Sequence, residues 1–196
     1  MKFKKLADIA NIHSGLVLSR KEAGVGVEST YKYKQLNLRS VSEDGQINIE
    51  ILDDFFSNDS IKETFITREN DIVLRLFAPI RPVFISANYT GLIVPSQFVI
   101  LRVKKHEILP EFLYMHLSRK DTINDIYAKE GGYTMRNVRI STLSDLSIPI
   151  LSIKKQSEIV SIYEVHNKRK ELYNDLLHQY DTHTNAVIKR LIEGDA

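Results

Sequence analysis

Arg75 and Arg81 stand on either side of Leu76-Phe77-Ala78-Pro79-Ile80, a short apolar segment stiffened by its proline. A second group, Tyr133, Thr134, Arg136, Asn137 and Arg139, follows Gly131-Gly132 and gathers hydroxyl, guanidinium and amide groups. Lys32 and Lys34 alternate with tyrosines, and Arg20 and Lys21 lie upstream. Forked donors and amides can address phosphates and the edges of bases. The same side chains also make surface ion pairs or a solvated strand face. Residue type alone leaves both readings open.

No constellation for covalent or metal chemistry accompanies them. The chain has no cysteine, which excludes a disulfide scaffold, a thiolate zinc site and a cysteine nucleophile, and fits a reducing compartment. There is no Glu-x-Lys string, no Asn-Pro-Pro-Tyr or Asp-Pro-Pro-Tyr, no Gly-x-Ser-x-Gly and no His-Glu-x-x-His. Gly24-Val25-Gly26 is an isolated pair of glycines with Ser29 at the third site, so it reads as a loop and not a dinucleotide fingerprint. His178 and His183 would point about 140° apart on a helix, which argues against a metal pair. Asp53, Asp54 and Asp71 lack a spaced carboxylate partner and read as turn residues. The expectation is a chain without a recognisable catalytic motif, with no cofactor and no metal.

With 196 residues, 43% of them apolar and 27% charged, the chain has the composition of an ordinary globular protein. The net charge of +2 hides an uneven layout. Residues 1–39 carry eight bases against three acids, 40–71 two against nine, and 72–120 seven against two. Two basic segments flanking an acidic one suggest a polarised surface, the kind that attracts phosphates. The uncharged stretch Pro82 to Leu101 is long enough to span a bilayer. It contains Ser86, Asn88, Thr90, Gly91, Pro95, Ser96 and Gln97, however, and reads as two buried strands joined by a turn. The basic opening Met1 to Lys5 is followed by a stretch broken by Asp8 and Asn11, so no signal-peptide core is expected. These features predict a cytoplasmic protein with no membrane partner.

The elements that must carry these groups fall into three kinds. The first half reads as short strands and turns. Tyr31–Leu38 and Ile47–Ile51 alternate with period two, and Asp71–Phe77, Val83–Ala87 and Phe98–Val103 are β-rich runs. Pro110-Glu111 opens a helix, a second helical run covers Asp121–Lys129, and Gly131-Gly132 ends it. A short segment with Leu143, Leu146 and Ile148 is stopped by Pro149. From Ser152, a plausible N-cap, to about Ile192 there is no proline or glycine, so a helix of about 40 residues is predicted, with Gly194 as its stop. Ile159, Ile162, Leu172, Leu176, Tyr180, Val187 and Leu191 lie near one face, interrupted by His166, Arg169 and His183. This chain has no second long helix to cover that stripe. The simplest cover is a second copy in a twofold pair.

Four stretches, in this order and spacing, resemble the specificity subunits of type I restriction–modification systems. Leu6 to Gly15 is similar to that family's opening L-x-D-I-x-x-I-x-x-G. Asn70-Asp71-Ile72-Val73 resembles its Gly-Asp-Ile strand, with Asn70 in place of glycine. Gly132 to Val138 resembles its Gly, Thr and Asn loop. Leu146-Ser147-Ile148-Pro149-Ile150-Leu151 followed by Gln156-Ser157-Glu158-Ile159 resembles its L-x-I-P-I-P … Q-x-x-I approach to a spacer helix, with Leu151 replacing a proline and Lys154-Lys155 an acidic pair.

The resemblance implies an α+β chain with a β-rich target-recognition domain over residues 1–151, containing short helices. One long helix over 152–196 would form an antiparallel coiled coil with a partner. It implies that the chain reads one half of a bipartite double-stranded DNA site. Its further partners would be a modification methyltransferase subunit and a restriction subunit, which hold the catalytic chemistry. Full-length subunits have two recognition domains and two helices and this chain has one of each, which suggests a half-subunit acting as a homodimer, or a fragment of a longer product. The DNA-contacting candidates are then Arg75, Arg81, Tyr133, Thr134, Arg136, Asn137 and Arg139, with Lys32, Lys34, Lys21 and Arg20 as weaker phosphate candidates. The seam residues named above are assigned to helix pairing. A coiled-coil scaffold without nucleic acid and a stand-alone nuclease are the alternatives.

Overall fold

The computed structural model describes residues 2–23, 31–42, 45–104, 106–131 and 137–194. In chain order the elements are β1 Lys2–Lys5, α1 Leu6–Ile9, β2 Ala10–Ser14, β3 Tyr31–Gln35, β4 Asp53–Ser57, β5 Ile72–Arg75, β6 Pro82–Phe84, β7 Phe98–Val103, α2 Pro110–Ser118, α3 Lys120–Lys129, α4 Ile140–Ser144, β8 Ser147–Ile150 and α5 Ile153–Glu193, with short 3₁₀ turns between several of them. This is the α+β organisation expected from the sequence: a β-rich body with short helices, then one long helix. The chain divides into two compact units, Met1–Gln156 and Ser157–Ala196.

The first unit is built on a four-stranded antiparallel sheet in the order β2-β7-β5-β6. β5 and β7 are interior strands, and their runs Ile72–Leu74 and Phe98–Leu101 are apolar and buried at every position. A strand covered on both faces reads as a continuous apolar run, not an alternation. Leu36, Val41, Ile47, Leu52, Val73, Val83, Ile85, Leu92, Val94, Phe98 and Ile100 form one core cluster, and Leu16, Phe55, Ile61 and Ile93 another. Two ribbons complete the body: β3 with β4, and β1 with β8, in which Lys2 pairs with Ile150 and Lys5 with Ser147.

The family-like stretches have plain structural reasons. Leu6 and Ile9 are fully buried from the single turn α1. At Gly15 a Cβ would lie 2.0 Å from the Pro95 carbonyl oxygen, so only glycine fits. Asn70 has φ 68°, the left-handed region where glycine, or failing that asparagine, is tolerated. Gln156 is fully buried. Its Oε1 accepts from the Leu109 N–H at 2.8 Å, ahead of α2, and its Nε2 donates to the Glu107 and Leu151 carbonyls at 2.8 and 2.9 Å.

Three expectations are corrected. Ile47–Ile51 is not a strand: Val41 and Ile47 make an isolated bridge, and Ile49–Ile51 is a 3₁₀ turn capped by Asn48, whose Oδ1 accepts from the Glu50 N–H at 3.0 Å. Pro149 does not stop its segment but lies inside β8, opposite Phe3. Its missing N–H is tolerated because a two-stranded ribbon has two edges. Asp53 and Asp54 are not turn residues; they open β4, which no alternation announced.

Candidate nucleic-acid interface

β5 and β6 are adjacent antiparallel strands, so the 76–80 segment is the loop that joins them, with Arg75 at the end of β5 and Arg81 just before β6. The Arg75 amide donates to the Arg81 carbonyl at 3.3 Å and closes the loop's base. Arg75 Nε is buried and, among the described residues, has no hydrogen-bond partner. Arg81 is half-buried and has a partner of its own. The loop is pinned elsewhere too. The Leu76 amide donates to Gln97 O at 2.9 Å, and the Ile80 amide donates to the Tyr127 hydroxyl of α3 at 2.9 Å in a buried setting.

Asn137 and Arg139 come from a segment some sixty residues further on, yet they are brought to the same place. Asn137 bridges Phe77 in antiparallel fashion, and the Val138 amide donates to Leu76 O at 2.7 Å. Arg139 is fixed by Glu130, whose two carboxylate oxygens accept from the Arg139 amide at 2.9 Å and its Nε at 3.0 Å. The Glu130 side chain is fully buried, while that of Arg139 remains 68% exposed. Burial alone would raise the Glu130 carboxyl. The hydrogen bonds from Thr142, the Arg139 amide and the Arg139 side chain outweigh it and hold the group below the usual carboxylate value. The structure thus unites Arg75, Arg81, Asn137 and Arg139. Tyr133, Thr134 and Arg136 lie outside the described residues.

Lys32 and Lys34 belong to a separate ribbon. They point to one face of β3, and Asp54 of β4 lies between them, 3.3 Å from the Lys32 Nζ and 2.9 Å from that of Lys34. Donation from Lys34 lowers the Asp54 carboxyl. Lys32 Nζ also sits 5.5 Å over the Phe56 ring. Lys21 pairs with Asp59 at 2.7 Å, and Arg20 ends an exposed 3₁₀ turn. Lys21, Lys32 and Lys34 are therefore matched by acids, the plain surface reading of these side chains.

Asp71 has a partner that sequence reading missed. It is 1% exposed, takes two hydrogen bonds from Arg102 of β7 at 2.8 and 2.7 Å, and accepts the Arg68 amide at 2.8 Å. Arg102 lies 31 residues away and carries no motif. Tyr127 and Glu130 were missed as site residues for the same reason: Tyr127 reaches Ile80 across 47 residues, and neither carries a motif. No group of His, Cys, Asp or Glu that could hold a metal occurs among the described residues, and none of the helices there is long and apolar enough to cross a membrane.

In the second unit, α5 leaves Ile162, Leu172, Leu176, Tyr180, Val187 and Leu191 exposed, with Ile159 half-buried. Val165, Leu176 and Val187 recur at intervals of eleven, as do Tyr180 and Leu191, and Leu177 and Ile188. That interval is 3.67 residues per turn, close to the undistorted helix, and keeps a stripe on one side with little supercoiling.

The sequence profile of the family described as type I restriction modification DNA specificity domain matches residues 1–179. No similar sequence was found among curated proteins. Three solved structures share the fold. The crystal structure of the HsdS subunit from Thermoanaerobacter tengcongensis matches with TM-score 0.66 at 16% identity, over 95% of this chain and 47% of that one. A chain from a structural study of complex assembly and conformational transition in the type I R-M system gives TM-score 0.68 at 14% identity, over 97% and 48%. The S subunit of a type I restriction-modification system from M. genitalium gives 0.54 at 15%, over 97% and 45%. The chain spans about half the length of the solved chains it matches.

Proposed function

We propose that this chain, which belongs to the family of type I restriction modification DNA specificity domains, reads one half of a bipartite double-stranded DNA site and positions modification and restriction subunits on it without catalysing a reaction itself. The observation that carries this reading is the pairing of two segments from distant parts of the sequence, the arginine-flanked loop Arg75–Arg81 and Asn137–Arg139, through the Val138 to Leu76 hydrogen bond. Paired, braced loops bearing guanidinium and amide groups are suited to a DNA groove, where forked donors distinguish bases. Tyr133, Thr134 and Arg136 extend the same segment. Lys32 and Lys34 serve phosphate contact, exchanging Asp54 for a backbone oxygen.

Residues 1–151 form the recognition domain and residues 152–196 the spacing and pairing helix. The exposed stripe of α5 supports pairing with a second copy, through Ile159, Ile162, Leu172, Leu176, Tyr180, Val187 and Leu191 in an antiparallel coiled coil. A twofold pair reads two identical half-sites in inverted orientation. Such a protein works in the cytoplasm, beside the DNA and its methyltransferase partner.

Co-expression with a candidate methyltransferase subunit, followed by genome-wide mapping of methylated adenines, tests this. The expected result is a gapped, symmetric motif absent from cells lacking this chain. Absence of any chain-dependent methylation, together with no retention on heparin, would favour the scaffold alternative. Metal-dependent cleavage by the purified chain alone would favour a nuclease.

A further inference from the structure

We infer that Tyr127 and Glu130 are positioning residues that set the sequence discrimination of the DNA-reading loops without touching DNA; this rests on the reading proposed above. The two residues sit one turn apart at the end of α3, and each holds a different loop. Tyr127 is buried and its hydroxyl accepts the Ile80 amide at 2.9 Å. Glu130 is buried and accepts both the amide and the Nε of Arg139. The circuit closes where the Val138 amide donates to Leu76 O at 2.7 Å and Asn137 bridges Phe77. Helix end, first loop and second segment therefore form a ring of hydrogen bonds whose members cannot shift one at a time.

The choice of groups is informative. An exposed arginine needs no buried acid for its own sake, because an exposed carboxylate would serve at far lower desolvation cost. A buried carboxylate that binds the amide as well as the guanidinium of one residue fixes that residue's backbone and the direction of its side chain together. Base discrimination depends on just this kind of placement, since a displaced donor loses the correct edge while any cation still finds a phosphate. The bracket therefore acts on discrimination and leaves general affinity alone.

The test selects a preferred duplex from a random-sequence pool with the wild-type chain. It then measures binding to that duplex, to single-mismatch duplexes and to unrelated duplex at one salt concentration, for wild type, Tyr127→Phe and Glu130→Gln. Ile47→Val, a core change remote in sequence from both loops, controls for a general loss of stability. Tyr127→Phe is expected to lower the matched-to-mismatched affinity ratio about tenfold while binding to unrelated duplex stays within about twofold, and Glu130→Gln is expected to do at least as much. Ile47→Val is expected to keep the wild-type ratio. If the wild type discriminates and a folded Tyr127→Phe discriminates equally, the positioning role is overturned while the DNA-reading assignment stands. A wild type that selects no sequence overturns both.

Discussion

Asp71 and Leu191 show how differently the two units treat their side chains. In Met1–Gln156 a charged group that is 1% exposed meets a guanidinium and a backbone amide from its own unit, and Gln156 and Glu130 are satisfied in the same way. In Ser157–Ala196 the exceptions run in the opposite direction, with Ile162 71% and Leu191 79% exposed. The first unit has closed its core and paired most of its buried polar groups, with Arg75 Nε an exception. The second has spread a stripe of apolar side chains along α5 from Ser157 onward, a surface that is stabilised only by something that covers it. The buried polar groups of the body are held by contacts within their own unit, whereas the apolar stripe of α5 stays exposed.

Four substitutions test the difference between the units. The largest effect is expected at Gly15→Ala, where the added Cβ meets backbone of the Val94–Pro95 segment; a loss of about 4 kcal/mol in denaturant unfolding, the same at every protein concentration, is the outcome to check. Next comes Asp71→Ala, which strands Arg102 and frees the Arg68 amide. It should cost about 3 kcal/mol, again without dependence on concentration. Leu176→Glu tests the proposed pairing and should act on the other unit alone: light scattering should report half the wild-type mass, and the melting of the body should be unmoved. A change in the body's melting, or an unaltered mass, would erase the distinction between the units. The smallest effect concerns pH. Glu130 titrates below the ordinary glutamate value of 4.5, so the stability it contributes is present above that value and is lost as pH falls through its lower folded value. Glu130→Gln should therefore flatten the fall in melting temperature on acidification below about pH 4.5, relative to wild type.

Much of the scaffold was legible because its patterns are local. The runs Phe98–Val103 and Tyr31–Gln35, the Pro110 helix start and the uninterrupted stretch of α5 declare themselves by periodicity, proline placement or the absence of breakers. Ile47–Ile51 misled for an equally local reason: its alternation suits a strand, but the Asn48 side chain offers the backbone a competing hydrogen bond. Asp-Asp-Phe-Phe-Ser in β4 has no period to detect and becomes a strand because β3 is there to pair with it. The site was half-legible. Arg75, Arg81, Asn137 and Arg139 stand out by type and by their nearness to glycine or proline. That the two segments lie side by side depends on a bridge between Phe77 and Asn137. The bracket that holds them depends on Tyr127 reaching Ile80, 47 residues away. Contacts at such separation leave no trace in a single sequence.

The ribbon of β1 with β8 has a consequence for how the chain is made. Lys2 pairs with Ile150, and the Leu6 amide donates to Leu146 O at 2.9 Å. At a synthesis rate of about 5–20 residues per second, the opening strand waits on the order of ten seconds before its mate leaves the ribosome. The body is thus sealed by its last strand, and a transcript cut short before β8 yields a product whose first strand has no mate, an open edge for chaperones and proteases to find.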